Sequence, residues 1–324
     1  MHARALARHP RAELVSVYDL VPGSANEAAR ELGVRAASSV AEVLDDPGLQ
    51  AVLIATPTPT HVELIIAAAR AGKAVLCEKP IDLDMARVMH CQAAIEPLGV
   101  TVMIGFNRRF DPSFRALRDR VQAGEIGRIE QVVITSRDPA PPPASYIRAS
   151  GGLFRDMTIH DFDMACYLVG DIAEVYAMGA NLFDGSIADA GDIDAAMVVL
   201  RSCSGALVHI NNSRRCVYGY DQRLEVFGAD GMLSAGNRHA TTVRHFGAGH
   251  SEASDLVLPF FIERYAEAYA AEIDHFLACL SSGATPLTSF ADGVEALRLA
   301  DAAEQSLRSG QPVHLGTAGA PKAG

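Results

Sequence analysis

The sequence predicts an α/β domain with a parallel sheet, followed by an α+β domain built on a large open antiparallel sheet. Three observations carry this. Strand and helix patterns alternate from residue 13 to residue 106. Beyond residue 107, strand patterns follow one another with a single helix among them. Two long helical patterns then close the chain.

The first strands are expected at 13–19, 50–55, 73–77 and 100–106. They are rich in Val, Ile and Leu, as strands covered on both faces are. Ser24-Ala25-Asn26-Glu27 and Thr60-His61-Val62-Glu63 read as capping boxes opening helices, and Ser39-Val40-Ala41-Glu42 as a shorter start. Gly33 and Gly72 stand where the first and last of these helices should stop. The basic segment 1–11 reads as a surface helix ended near Pro10 rather than a transit peptide. In the second half, strands are expected at 128–137, 173–182, 195–201, 206–212, 223–227 and 241–246, with Gly228-Ala229-Asp230-Gly231 as a hairpin turn. Helices are expected at 157–168, 260–280 and 292–309, and Asp138-Pro139-Ala140-Pro141-Pro142-Pro143 as a stiff extended loop. The expected domains are 1–106 and 107–315, with a disordered tail at 316–324.

Composition narrows the function. The 324 residues carry 28 Lys and Arg against 39 Asp and Glu, a net charge of −11. Such a surface has no general attraction for nucleic acid or anionic membrane. No apolar run approaches the roughly 18 residues of a membrane-spanning helix. The six cysteines are scattered without a CxxC pair, which fits reduced thiols in the cytoplasm and no metal centre.

Three groups of residues point to chemistry. Asp19 ends the first visible strand, where an acid can accept the ribose hydroxyls of a dinucleotide and repel a 2′-phosphate. No Lys or Arg follows at Leu20, Val21 or Pro22, so the reading is NAD in preference to NADP. The alternative is a strand-end acid entering a turn. A dinucleotide fold should open with a strand and a Gly-rich turn that lets the backbone approach a pyrophosphate. Neither is visible, and the expectation is a Rossmann-like sheet shortened at its start by about a dozen residues, one strand with its turn.

Cys77-Glu78-Lys79-Pro80 follows a strand directly. That puts Lys79 at the edge where parallel sheets bind ligands, able to stabilise a developing alkoxide. Its bond to Pro80 is a candidate for the cis form. The bland alternative is a solvated lysine in a turn.

The third group lies in the run from Gly151 to Asp163. Asp156, His160 and Asp163 are spaced i, i+4, i+7, one face of a helix whose other residues include Met157, Ile159, Phe162 and Met164. A His there suits a general base, with Asp156 to orient it. The alternatives are a satisfied core histidine with a capping acid, or a metal site on the same three side chains.

These residues resemble the glucose–fructose oxidoreductase/inositol dehydrogenase/MocA (Gfo/Idh/MocA) oxidoreductases. The likeness rests on Cys-Glu-Lys-Pro at 77–80, on Gly105-Phe106-Asn107-Arg108-Arg109-Phe110-Asp111 and on the run at 151–163, and it extends from residue 1 to about residue 315. Asn107-Arg108-Arg109-Phe110-Asp111, the proline loop, Asn212-Ser213-Arg214-Arg215 and Tyr218-Gly219-Tyr220-Asp221 resemble the inositol 2-dehydrogenase branch more closely. The resemblance implies Lys79, Asp156 and His160 as the catalytic set. It implies Asp19, Thr56, Pro57, Thr58, His61, Glu78, Lys79 and Pro80 along the cofactor NAD, and Asn107, Arg108, Asp163, Tyr218 and Tyr220 about a polyol. The expected reaction is oxidation of a secondary hydroxyl of a cyclic polyol, myo-inositol first, in a cleft between two lobes. The alternatives are another sugar, an anhydrosugar, a scyllo-type inositol, or a non-catalytic nucleotide- or sugar-binding protein. A homotetramer or dimer is expected through the exposed face of the antiparallel sheet, since Val198, Leu200, Leu207, Val208 and Ile210 include neighbours that point to both faces.

Overall fold

The computed structural model describes residues 1–316. Of the expected tail, residues 317–324 lie outside the described residues. The chain packs as two compact units. One comprises Met1–Asn107 with Ala268–Val294, and the other comprises Arg108–Glu267 with the chain from Glu295 onward. The first boundary falls beside the expected one, but the segment Ala268–Val294 returns to the first unit.

The first unit opens with helix α1 (His2–Ala7), three residues shorter than expected. Strand β1 (Ser16–Val17) leads into α2 (Pro22–Leu32), which ends at Gly33 with φ 69°. Strand β2 (Arg35–Ala36), unforeseen, pairs in parallel with β1. Then come α3 (Val40–Leu44), β3 (Ala51–Ile54), α4 (His61–Arg70), β4 (Ala74–Glu78), α5 (Met85–Ile95) and β5 (Val102–Gly105). Strands β3, β4 and β5 form a second parallel ladder in that order. Among the described residues no strand joins this ladder to β1–β2. In the centre of the second ladder Val75, Leu76 and Cys77 are buried, with α4 and α5 packed alongside one another.

Two capping expectations fail, each for its own reason. Pro22 starts α2 at its first position, where its missing N–H costs nothing, so Ser24 lies inside the helix and caps nothing. Thr60 is the N-cap of α4, but its hydroxyl donates to the carbonyl of Pro57 instead, at 2.8 Å. Ser39 does cap α3, accepting from the N–H of Glu42 at 3.1 Å.

The second unit contains α6 (Pro112–Gln122), β6 (Ile129–Arg137), α7 (Ala144–Ser150), a π-helical turn (Phe154–Thr158), α8 (Ile159–Val169), β7 (Ile172–Ala180), α9 (Gly185–Asp189), β8 (Ala195–Ser202), β9 (Leu207–Ser213), β10 (Asp221–Gly228) and β11 (Gly231–Ala235). The expected turn at 228–231 joins β10 to β11. A hairpin of β12 (Arg244–Gly247) and β13 (His250–Ser254) stands apart from the main sheet. Helices α10 (Phe261–Arg264), α11 (Ala266–Ser282) and α12 (Phe290–Ser309) and strand β14 (Val313–His314) follow.

The main sheet has the order β11-β10-β6-β9-β8-β7-β14. It is mixed, which corrects the antiparallel expectation: β6 and β9 run parallel, from Gln131↔Leu207 to Arg137↔Ser213. The meander β7–β8–β9 lays its third strand beside β6, and the segment between β6 and β7, with its helices, supplies the crossover a parallel pair needs. Val198, Leu200, Val208 and Ile210 all face the core, while Met178, Met197, Val199, Leu207 and Phe227 are exposed. The neighbours Leu207 and Val208 thus point to opposite faces, and the open face carries exposed apolar residues, Leu207 among them.

Candidate active site

In the first unit the expected cofactor residues gather at the C-terminal ends of the parallel strands. Asp19 lies two residues past β1, and its Oδ1 accepts from the N–H of Val21 at 2.8 Å, the entry to α2. Thr56 and Pro57 follow β3 and lead into a short 3₁₀ turn, Thr58–Thr60, that opens α4, with the hydroxyls of Thr56 and Thr60 bonded at 2.7 Å. Glu78 ends β4, and the Lys79–Pro80 bond after it is cis. Asn107, buried, follows β5.

His61 departs from expectation. It is 1% exposed, its Nδ1 lies 2.8 Å from the carbonyl of Pro80 and its Nε2 2.8 Å from that of Thr56. Both ring nitrogens are committed to the backbone, so the ring clasps the turn after β3 to the turn after β4. His61 thus ties these two loops together.

Glu78 is also bound internally. Its Oε1 lies 2.6 Å from Nε2 of His2, and its Oε2 accepts from the N–H of Lys79 at 3.3 Å. Burial would raise the Glu78 carboxyl, but the hydrogen bond and charge of His2, with Lys79, outweigh it and hold it below the ordinary range. Gly105 is required opposite: a Cβ there would stand 3.2 Å from the Glu78 backbone.

In the second unit His160 and Asp156 sit on consecutive turns at the junction of the π-turn and α8. Such π-turns are frequent at functional sites because they re-aim side chains within a helix. Asp156 is held at both oxygens. Tyr146 donates to Oδ1 at 2.9 Å and Arg214 to Oδ2 at 3.3 Å. Burial and the neighbouring Asp156 both push the Tyr146 phenol well up, so it stays a donor. Arg214, fully buried, also reaches Asp192 at 3.1 Å. Asp192 in turn accepts from the N–H of Leu153 at 2.9 Å. Gly152, at φ +84°, leaves room for this, since a Cβ would meet Asp192 Oδ1 at 2.9 Å. The second glycine of the Gly-Gly pair is thus explained by an acid 40 residues downstream.

Arg108 and Asp163 each belong to a buried ion pair. Arg108 bonds Asp161 and the hydroxyl of Ser136, and Asp161 also accepts from Asn212 at 2.7 Å. Asp163 receives Arg109 through two bonds, at 3.0 and 2.7 Å. Both carboxylates are therefore compensated by arginines. The hydroxyl of Tyr218 donates to Asp221 at 2.7 Å and accepts from Arg137 at 2.8 Å. Tyr220 is buried edge-on to Phe260 and Tyr265, at 5.8 and 6.0 Å between centroids. The arginines on Asp156 and Asp163 also bear on the metal alternative, because they already neutralise the carboxylates it needs. Among the described residues no cluster of three or more His, Cys, Asp or Glu could hold a metal ion.

Sequence reasoning missed Tyr146, Asp192 and the role of Arg214. Their partners lie 10, 39 and 58 residues away, beyond any helical spacing.

A parallel layer presenting an acid, hydroxyls and a lysine at its strand ends, with an aspartate–histidine helix in a second unit, defines a dinucleotide-dependent oxidoreductase. Asp19, the turn after β3 and the Glu78–Lys79 turn stand together at the strand ends of that layer. The chain belongs to the Gfo/Idh/MocA family. Residues 1–106 match the model of the oxidoreductase family with an NAD-binding Rossmann fold, and residues 114–234 match the GFO/IDH/MocA C-terminal domain. It is 45% identical over 318 residues to an inositol 2-dehydrogenase of Rhizobium meliloti, covering 97% of this chain and 95% of that one. It is 38% identical over 320 residues to the scyllo-inositol 2-dehydrogenase (NAD(+)) of Bacillus subtilis, covering 97% and 92%. The crystal structure of a myo-inositol dehydrogenase from Corynebacterium glutamicum superposes with a TM-score of 0.94 at 48% identity, covering 98% of this chain and 95% of that one.

Proposed function

We propose that the protein oxidises one secondary hydroxyl of a cyclic polyol, myo-inositol to its 2-keto product, with NAD as acceptor. NAD, when bound, supplies the hydride-accepting carbon. The protein's residues do the rest. His160 removes the hydroxyl proton as general base. Asp156, fixed by Tyr146 and Arg214, orients the imidazole and offsets the charge it gains. Lys79 donates a hydrogen bond to the reacting oxygen and favours its anionic character. Asn107, the Arg108–Asp161 and Arg109–Asp163 pairs, Tyr218 and Tyr220 provide a wall of compensated polar groups suited to hydroxyls rather than to a charged substrate. Asp19 accepts the adenosine ribose and selects NAD over NADP.

The observation that carries this reading is the anchored Asp156 four residues before His160. A carboxylate held by a phenol and a buried guanidinium keeps its place whether or not substrate is present, which preorganisation requires. A sensor has no need of it. The open apolar face of the main sheet supports a homo-oligomer, a tetramer or dimer, and the acidic charge and scattered thiols support a cytoplasmic site of action.

The test is steady-state oxidation of a panel with NAD and NADP: myo-inositol, scyllo-inositol, glucose and an anhydrosugar. The expected order puts myo-inositol with NAD first by kcat/KM. Scyllo-inositol ranking first would move the assignment to the second relative's activity, and no turnover of any polyol would overturn it.

A further inference from the structure

The mechanism leaves one buried acid unused. Glu272, on α11, is 0% exposed, and neither carboxylate oxygen has a hydrogen-bond partner. It lines a narrow gap, with no room for a water molecule, together with His2, Leu53, Leu76, Glu78 and Gly105. The groups facing it are few. From α1 comes His2, bonded to Glu78 and edge-on to Tyr269 of α11 at 5.3 Å. From β4 come Glu78 and, next in sequence, Lys79. β3 and β5 contribute only Leu53 and Gly105.

We propose that Glu272 is a positioning residue for the turn carrying Lys79, packed as an uncharged carboxylic acid beneath the His2–Glu78 pair. The proposal rests on the role given to Lys79 above. An ionised carboxylate with no partner and no water is too costly to bury, and the group keeps its proton instead. Burial and the adjacent Glu78 both push its carboxyl well above the usual range. The consequence is electrostatic. One negative charge, that of Glu78, lies next to the Lys79 turn, with His2 bonded to it. A second would repel Glu78 and loosen its bond to the Lys79 N–H.

Three measurements test this. In protein labelled with ¹³C at glutamate carboxyls, infrared spectra at pH 7 should show a protonated-acid band in the wild type that Glu272→Gln removes. Only the wild-type spectrum need be obtained if the variant does not fold, and absence of the band there overturns the proposal. In urea unfolding, a group whose folded pKa is raised gives stability that is full below its unfolded pKa, about 4.3, and declines as pH rises above it. The wild type should therefore lose stability from pH 5 upward by an increment absent in Glu272→Gln, and identical slopes would overturn the proposal. Finally, Glu272→Ala should lower kcat for polyol oxidation severalfold, with Glu272→Gln restoring it. An unchanged kcat in the alanine variant would leave Glu272 without a positioning role. The infrared and urea arms need no substrate, so they stand or fall apart from the polyol assignment.

Discussion

The phenol of Tyr146 donates to the carboxylate of Asp156 at 2.9 Å, and the buried guanidinium of Arg214 holds the other oxygen. The aspartate that orients the proposed base is thus itself oriented from two elements, α7 and the segment after β9. Tyr146→Phe should remove one hydrogen bond to a charged group, worth about 1.5–3 kcal/mol. We expect kcat to fall roughly tenfold or more with KM for the polyol little changed. A fall in KM alone would refute this account of Tyr146.

His160→Ala should lower kcat by roughly 10²–10⁴-fold, the usual yield of general-base catalysis. Stopped-flow measurement of NADH formation reads it directly. Retention of more than about a tenth of the wild-type rate would exclude His160 as the base.

Arg214 is fully buried between Asp156 and Asp192. Arg214→Met strands two carboxylates, and breaking such a buried pair costs about 3–5 kcal/mol. Urea unfolding should show that loss. Adding Asp192→Asn to the same chain should recover part of it, because one stranded charge is then gone.

Asp19→Ala combined with Leu20→Arg removes the carboxylate and adds a cation where a 2′-phosphate would lie. The ratio of kcat/KM for NADP to that for NAD should rise by about tenfold or more, ~1.4 kcal/mol of discrimination. An unchanged ratio would move the ribose contact away from Asp19.

Acid stability should depend on Asp221. Burial by itself would raise its carboxyl, but bonds from Arg223, Tyr218 and Asn237 outweigh this and hold it below the ordinary range. A depressed folded pKa gives stability that is present above the unfolded value, about 3.9, and lost as pH falls below it. Asp221→Asn should flatten the wild-type loss of stability between pH 5 and pH 3, measured by thermal melts in that interval.

The sequence by itself determined the alternating strands and helices of the first unit, the five strands β6 to β10 of the main sheet and the family. It also marked Lys79, Asp156 and His160 as the chemistry, because strand ends and helical spacing are local properties. The C-terminal glycine of α2 and the turn between β10 and β11 are equally local, and both are where the residues put them. Tertiary structure decided the rest. The parallel β6–β9 pair depends on where a meander returns, which no neighbouring residue encodes. Whether a hydroxyl caps a helix or turns to another carbonyl, as Thr60 does, depends on a competition between nearby acceptors. Which arginine neutralises Asp156, which acid makes Gly152 obligatory, and which carboxyl sits unpartnered beside Glu78 are set by contacts across 39 to 194 residues of chain. Hydrophobic periodicity fixes which face of an element is buried. It is blind to the charge that element will meet there.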